Sequence, residues 1–113
     1  MDISERAAGE VTVVTLSGKL NLGDATQRLY EKVTSLVQQG RKNIVLNLGD
    51  VAAIDSGGLG ELVRTYTTLQ RHGGRMKIAS LPKRVEDLLV TTRLVTVFDT
   101  YEDENAAINS FGG

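Results

Sequence analysis

Two hydrophobic periods divide the chain. From Glu10 to Leu16, Val11, Val13, Val14 and Leu16 are interleaved with threonines, which predicts a strand. Val14 breaks strict alternation, so part of this strand is expected to be covered on both faces. Ile44-Val45-Leu46-Asn47-Leu48 is a compact, partly β-branched run and reads as a buried strand. Between these runs, Ala25, Leu29, Val33, Leu36 and Val37 recur at helical steps. Asp24 with Gln27 fits a capping box at the start of that helix, and Gly40 ends it. A second stripe, Leu59, Leu62, Val63, Tyr66 and Leu69, predicts a helix from about Ser56 to Arg71-His72, stopped by Gly73-Gly74.

The rest follows more loosely. Met1–Gly9 holds the isolated Ile3 and reads as a short edge strand or frayed end. Ser17-Gly18-Lys19 reads as a turn. Gly49–Ile54 reads as a connector, with Val51 and Ile54 packed beneath the next junction. Arg75–Ala79 predicts a short strand, and Pro82 suits the first turn of a helix that buries Val85, Leu88 and Leu89. Leu94–Phe98 is expected to be the last strand and Glu102–Ser110 a closing helix, with Phe111 behind it and the final glycines disordered. The predicted order is β-β-α-β-α-β-α-β-α: an α/β fold with a small mixed sheet of four or five strands against four helices, and right-handed crossovers in its parallel part.

Composition narrows the function classes. With 113 residues, one domain over 1–113 is expected. The absence of cysteine removes thiolate nucleophiles, disulfides and cysteine-bound metals. Thirteen basic residues against fourteen acidic ones argue against direct nucleic-acid binding. No apolar run reaches the length of a membrane span and no leader pattern is present, so a cytoplasmic protein without membrane insertion is expected.

The chemistry concentrates at Asp55-Ser56-Gly57-Gly58-Leu59-Gly60, the junction between the strand at Ile44–Leu48 and the second helix. Serine there is a natural N-cap, because its hydroxyl accepts from a free amide of the first turn. The second reading is a modification site, since a helix N-terminus tolerates the negative charge of a phosphoryl group. The two readings are compatible, and nearby glycines let a partner approach the backbone closely.

An enzyme is not expected. Ser56 and His72 lie about 24 Å apart along one helix, far beyond the roughly 3 Å that a general base needs. Ile54 breaks the nucleophile-elbow pattern, and no Gly-Lys-Ser/Thr follows the glycines. Asp50 and Asp55 are too few for a metal centre, Asp55 being more simply a turn residue or a second cap, and no cofactor is implied. His72 is read as a helix C-terminal residue. Arg28, Glu31 and Lys32 are read as a solvated face.

The hexapeptide resembles the Asp-Ser-(Ser or Thr)-Gly-Leu-Gly signature of the STAS-domain anti-sigma factor antagonists. Val11–Gly18, Gly18-Lys19-Leu20-Asn21, Ile44–Leu48 with Asp50, Gly73-Gly74 and Val85–Leu89 follow that family's order. The resemblance implies a STAS fold over nearly the whole chain. It implies that Ser56 is phosphorylated by a serine kinase that is itself the anti-sigma factor, and restored by a metal-dependent phosphatase. It places the docking surface at Asn21, Asp55, Ser56, Gly57 and Gly58. Gly57 stands where the family has Ser or Thr, which removes a hydroxyl. Asn21 stands where an acidic residue is common, which removes a negative charge. The same fold also implies a second role, as partner of a transporter ATPase or part of a stress-signalling scaffold.

Overall fold

Alternation along each strand separates two hydrophobic clusters, one on each face of a single sheet. The computed structural model describes residues 1–112. Its strands are β1 (Asp2–Ala8), β2 (Val11–Leu20), β3 (Asn43–Ile54), β4 (Arg75–Ala79) and β5 (Thr100–Tyr101). Its helices are α1 (Asp24–Gln38), α2 (Ser56–Arg71), α3 (Lys83–Thr91) and α4 (Glu104–Phe111), with a 3-10 turn at Leu94–Thr96. The five strands lie side by side in sequence order. The first pair is antiparallel and the others are parallel, so the sheet is mixed and the element order is the predicted one.

On one face, Val14, Leu16, Ile44, Leu46, Leu48 and Ile78 meet Leu29, Val33 and Leu36 of α1, Leu59, Leu62 and Leu69 of α2, and Val85 and Leu89 of α3. On the other face, Val11, Val13, Val45 and Ala79 meet Ala107, Ile108 and Phe111 of α4. Val13 and Val14 therefore face opposite layers, and the broken alternation records burial on both sides.

α4 is also tied by polar contacts. Glu104 accepts from Arg6 of β1 and, at 2.5 Å, from Asn47 of β3. The Arg6 guanidinium, and then the Asn47 amide, hold the Glu104 carboxyl below its ordinary range. Lys77, only 5% exposed, donates to Ser110 Oγ at 2.8 Å and lies 4.5 Å from the Phe111 ring centre.

Several local expectations are corrected. Gly18 does not turn the chain. β2 continues to Leu20 with Gly18, at φ 105°, paired to Val51, and β3 carries one extra residue at each of two register shifts. Gly49–Ile54 is not a connector but the second half of β3, paired with the end of β2. Val51 is buried there and Ile54 is half-buried against the same core. Leu94–Phe98 is not a strand. Arg93 enters the left-handed region at φ 63°, the chain coils into the 3-10 turn, and Phe98 packs edge-on to Tyr66 at 5.1 Å. Apolar packing outweighs β propensity there. Of the two readings of Met1–Gly9, the edge strand holds and the frayed end does not, with seven residues in β1. α4 begins at Glu104, capped by Asp103. Of the final glycines, Gly112 is the C-cap of α4, and Gly113 lies outside the described residues.

Candidate functional site

Parallel pairing of β2 with β3 assembles the site. Leu20 pairs with Ile54, so the next residues, Asn21 and Asp55, leave the sheet beside each other. One carboxylate oxygen of Asp55 then joins the two exits. Asp55 Oδ1 accepts from the Gly58 amide at 2.5 Å and from the Leu22 amide at 3.2 Å. The Asp55 carbonyl accepts from the Leu59 amide at 2.9 Å, which opens the α2 ladder.

Asp55 is thus the N-cap of α2, in extended backbone at φ −98°, ψ 174°. This corrects the reading of Ser56 as the cap. Ser56 is the first helical residue and is exposed, and its hydroxyl is not the group that satisfies the first turn. The Ser56 and Gly57 amides have no acceptor within the helix, so they present a partial positive charge at that surface. At α1, Gly23 rather than Asp24 is the N-cap. Thr26 Oγ1 accepts from the Gly23 amide at 3.1 Å, which does the work expected of Gln27.

The three nearby glycines differ in kind. A Cβ on Gly58 would lie 2.0 Å from the Leu20 carbonyl oxygen, so only glycine lets α2 start this close to β2. A Cβ on Gly57 would lie 2.7 Å from Leu22 Cβ and 3.0 Å from Leu22 Cδ2. A Cβ on Gly60 would meet nothing within 4 Å. Gly58 is buried, Gly57 is half-buried, and Asn21, Leu22 and Asp55 are exposed. All five expected surface positions therefore gather at one junction, four of them within reach of solvent and Gly58 beneath them.

Leu22, in the turn Asn21-Leu22-Gly23-Asp24 that leads into α1, joins that junction, a role not expected from the sequence. The available signal was an apolar residue in a turn, outside the buried stripe of α1.

Ser56 and His72 sit at opposite ends of α2, and His72 Nδ1 hydrogen-bonds the Thr68 carbonyl at 2.8 Å. A groove of about 270 Å³ lined by Tyr30, Val37, Leu69 and His72 is likewise at the far end of α2. Arg28 and Lys32 are not merely solvated. Arg28 donates to the Met1 carbonyl, and Lys32 pairs with Glu5 of β1 at 2.7 Å. Among the described residues, no group of three or more His, Asp or Glu is placed to hold a metal ion, and no helix is long and apolar enough to cross a membrane. What the junction offers chemically is an exposed hydroxyl beside unpaired amides, at a helix start capped by Asp55.

Residues 2–107 match the STAS domain family. The anti-sigma-B factor antagonist of Bacillus subtilis is 33% identical over 86 residues, covering 76% of this chain and 77% of that protein. An anti-sigma factor antagonist from Mycobacterium paratuberculosis superposes with a TM-score of 0.80 at 22% identity, over 96% of this chain and 92% of that one. SpoIIAA superposes in its unphosphorylated form with a TM-score of 0.74 at 18% identity, over 99% of each chain. Its phosphorylated form, described as a Bacillus cell fate determinant, gives 0.72 at 20% identity, over 97% of this chain and 99% of that one. At these identities the structural likenesses speak for the fold.

Proposed function

This chain belongs to the STAS domain family, and from that premise we propose that it acts as an anti-sigma factor antagonist switched at Ser56. In the unphosphorylated form, the face made by Asn21, Asp55, Ser56 and Gly57 docks on an anti-sigma factor and releases the sigma factor for transcription. Gly58 shapes this face from below. The anti-sigma factor is a serine kinase that transfers the γ-phosphoryl group of ATP to Ser56 Oγ. A metal-dependent phosphatase later hydrolyses the phosphoserine. Both reactions belong to the partners, and this chain is the binding module, working in the cytoplasm.

The observation that carries the reading is the division of labour between neighbours. Asp55 caps the helix, so the Ser56 hydroxyl is exposed and free for transfer. A phosphoryl group there brings about −1.5 to −2 charges. The helix N-terminus accommodates that charge within the chain, while a partner docked on the same spot meets added bulk and charge beside Asp55. Each 1.4 kcal/mol lost at the interface is about tenfold in affinity.

The test is affinity capture from native-host lysate with wild type and Ser56→Asp side by side. A kinase-type anti-sigma factor held by wild type and lost by Ser56→Asp is the expected result. A transporter ATPase or large scaffold held equally by both overturns the switch and favours the second role of the fold. In a purified system, Ser56→Ala should keep its partner after kinase and ATP treatment, and its release would also overturn the reading.

A further inference from the structure

Leu22 is 62% exposed and Val90 is 56% exposed, the two large hydrophobic residues so placed among the described residues. A single exposed apolar side chain is ordinary. Leu22 is distinguished by what holds it and by what it lies against.

Its backbone is pinned. The Leu22 amide donates to Asp55 Oδ1 at 3.2 Å, and Gly23 follows at φ 128°. A side chain presented from a fixed backbone loses less freedom on docking than one on a loose loop. Leu22 also shares its place with the residue after Ser56. A Cβ on Gly57 would lie 2.7 Å from Leu22 Cβ, so the leucine occupies the space that a side chain at 57 would take. Nothing in the core uses Leu22. The buried positions of α1 are Thr26, Leu29, Val33 and Leu36.

We propose that Leu22 is the apolar anchor of the docking face. Its side chain enters an apolar pocket on the anti-sigma factor, next to the contact at Ser56, and Gly57 is glycine so that Leu22 can lie there. This rests on the antagonist reading above and names the chemistry of the partner surface. It also gives the switch a source of leverage. A phosphoryl group on Ser56 is set beside a contact from which water is excluded, where an unpaired charge costs far more than in solvent. The penalty of negative charge at Ser56 should therefore depend on Leu22.

The experiment measures affinity for the purified anti-sigma factor that wild type captures. Leu22→Ala should bind about tenfold more weakly, the loss expected for uncovering most of one leucine side chain. Leu22→Met should bind within about threefold of wild type, since it keeps an apolar side chain of similar volume. Val90→Ser, on α3, should bind as wild type does. Ser56→Asp should cost less affinity in the Leu22→Ala background than in wild type, and that coupling is absent if Leu22 only shapes the loop. Leu22→Ala binding like wild type, while Ser56→Asp still loses the partner, overturns the anchor and leaves the switch standing. Wild type capturing no anti-sigma factor overturns the antagonist reading, and the anchor with it. Circular dichroism and thermal midpoints of all variants separate lost binding from lost folding.

Discussion

At Asp55, one carboxylate oxygen serves two backbone amides, those of Gly58 and Leu22. Replacing a capping carboxylate with alanine costs about 0.5–2 kcal/mol, and here the second amide is orphaned as well. Asp55→Ala should lower stability by about 1–2 kcal/mol, whereas Ser56→Ala should stay within about 0.5 kcal/mol. Urea unfolding of the two variants checks this, and the reverse order would make Ser56 the cap. Neighbouring aspartate and serine are equally good caps by residue type, so the hexapeptide alone does not choose between them. The choice is made by backbone conformation: residue 55 is extended and residue 56 is already helical. Gly58 is equally mute in sequence, since its requirement comes from the Leu20 carbonyl, which belongs to another strand.

α4 is held in place by side-chain contacts between segments distant in the chain. It covers the second face of the sheet with Ala107, Ile108 and Phe111, and Glu104 links it to β1 and β3. The lowered carboxyl pKa of Glu104 means that folding favours the ionised form. Its stabilisation is fully present above the ordinary value of 4.5 and is lost as pH falls through the lowered folded value. Glu104→Gln should therefore unfold at lower urea than wild type at neutral pH. The difference should stay below about 1 kcal/mol, because the Arg6 partner is largely exposed. It should close in acid well below the ordinary carboxyl range, and a gap that persists there would assign the effect to packing. In the same region the chain resists reading from local pattern. Leu94–Phe98 has the composition of a strand, but its apolar side chains reach the core from a 3-10 turn, and the final strand is only Thr100–Tyr101.

For the molecule as a whole, the candidate site sits at the exits of two parallel strands, and Ser56 itself is on the surface. Charge added there should alter docking without altering the fold. Ser56→Asp places a carboxylate at the first turn of α2, where the helix dipole favours it by about 0.3–1 kcal/mol. Its far-UV circular dichroism should match wild type and its thermal midpoint should be equal or higher, even as partner binding falls. A lowered midpoint together with lost binding would mean that the substitution acts by unfolding the junction.

The period-2 and period-3.6 patterns alone determine β2, the first half of β3, β4 and the first three helices, and with them the mixed α/β architecture. They do so because each element buries one face, or in β2 two, and burial imprints its geometry on neighbouring residues. The same local logic places Ser56 at a strand-to-helix junction. Tertiary structure alone decides that β2 runs through Gly18, that β3 runs on to Ile54, that Asp55 rather than Ser56 caps α2, and that Leu22 lies against Gly57. Residues 22 and 57 are far apart in the chain, and no local period relates them. The parallel register of β2 on β3 brings them together, and the two irregularities, at each of which β3 carries one extra residue, set that register.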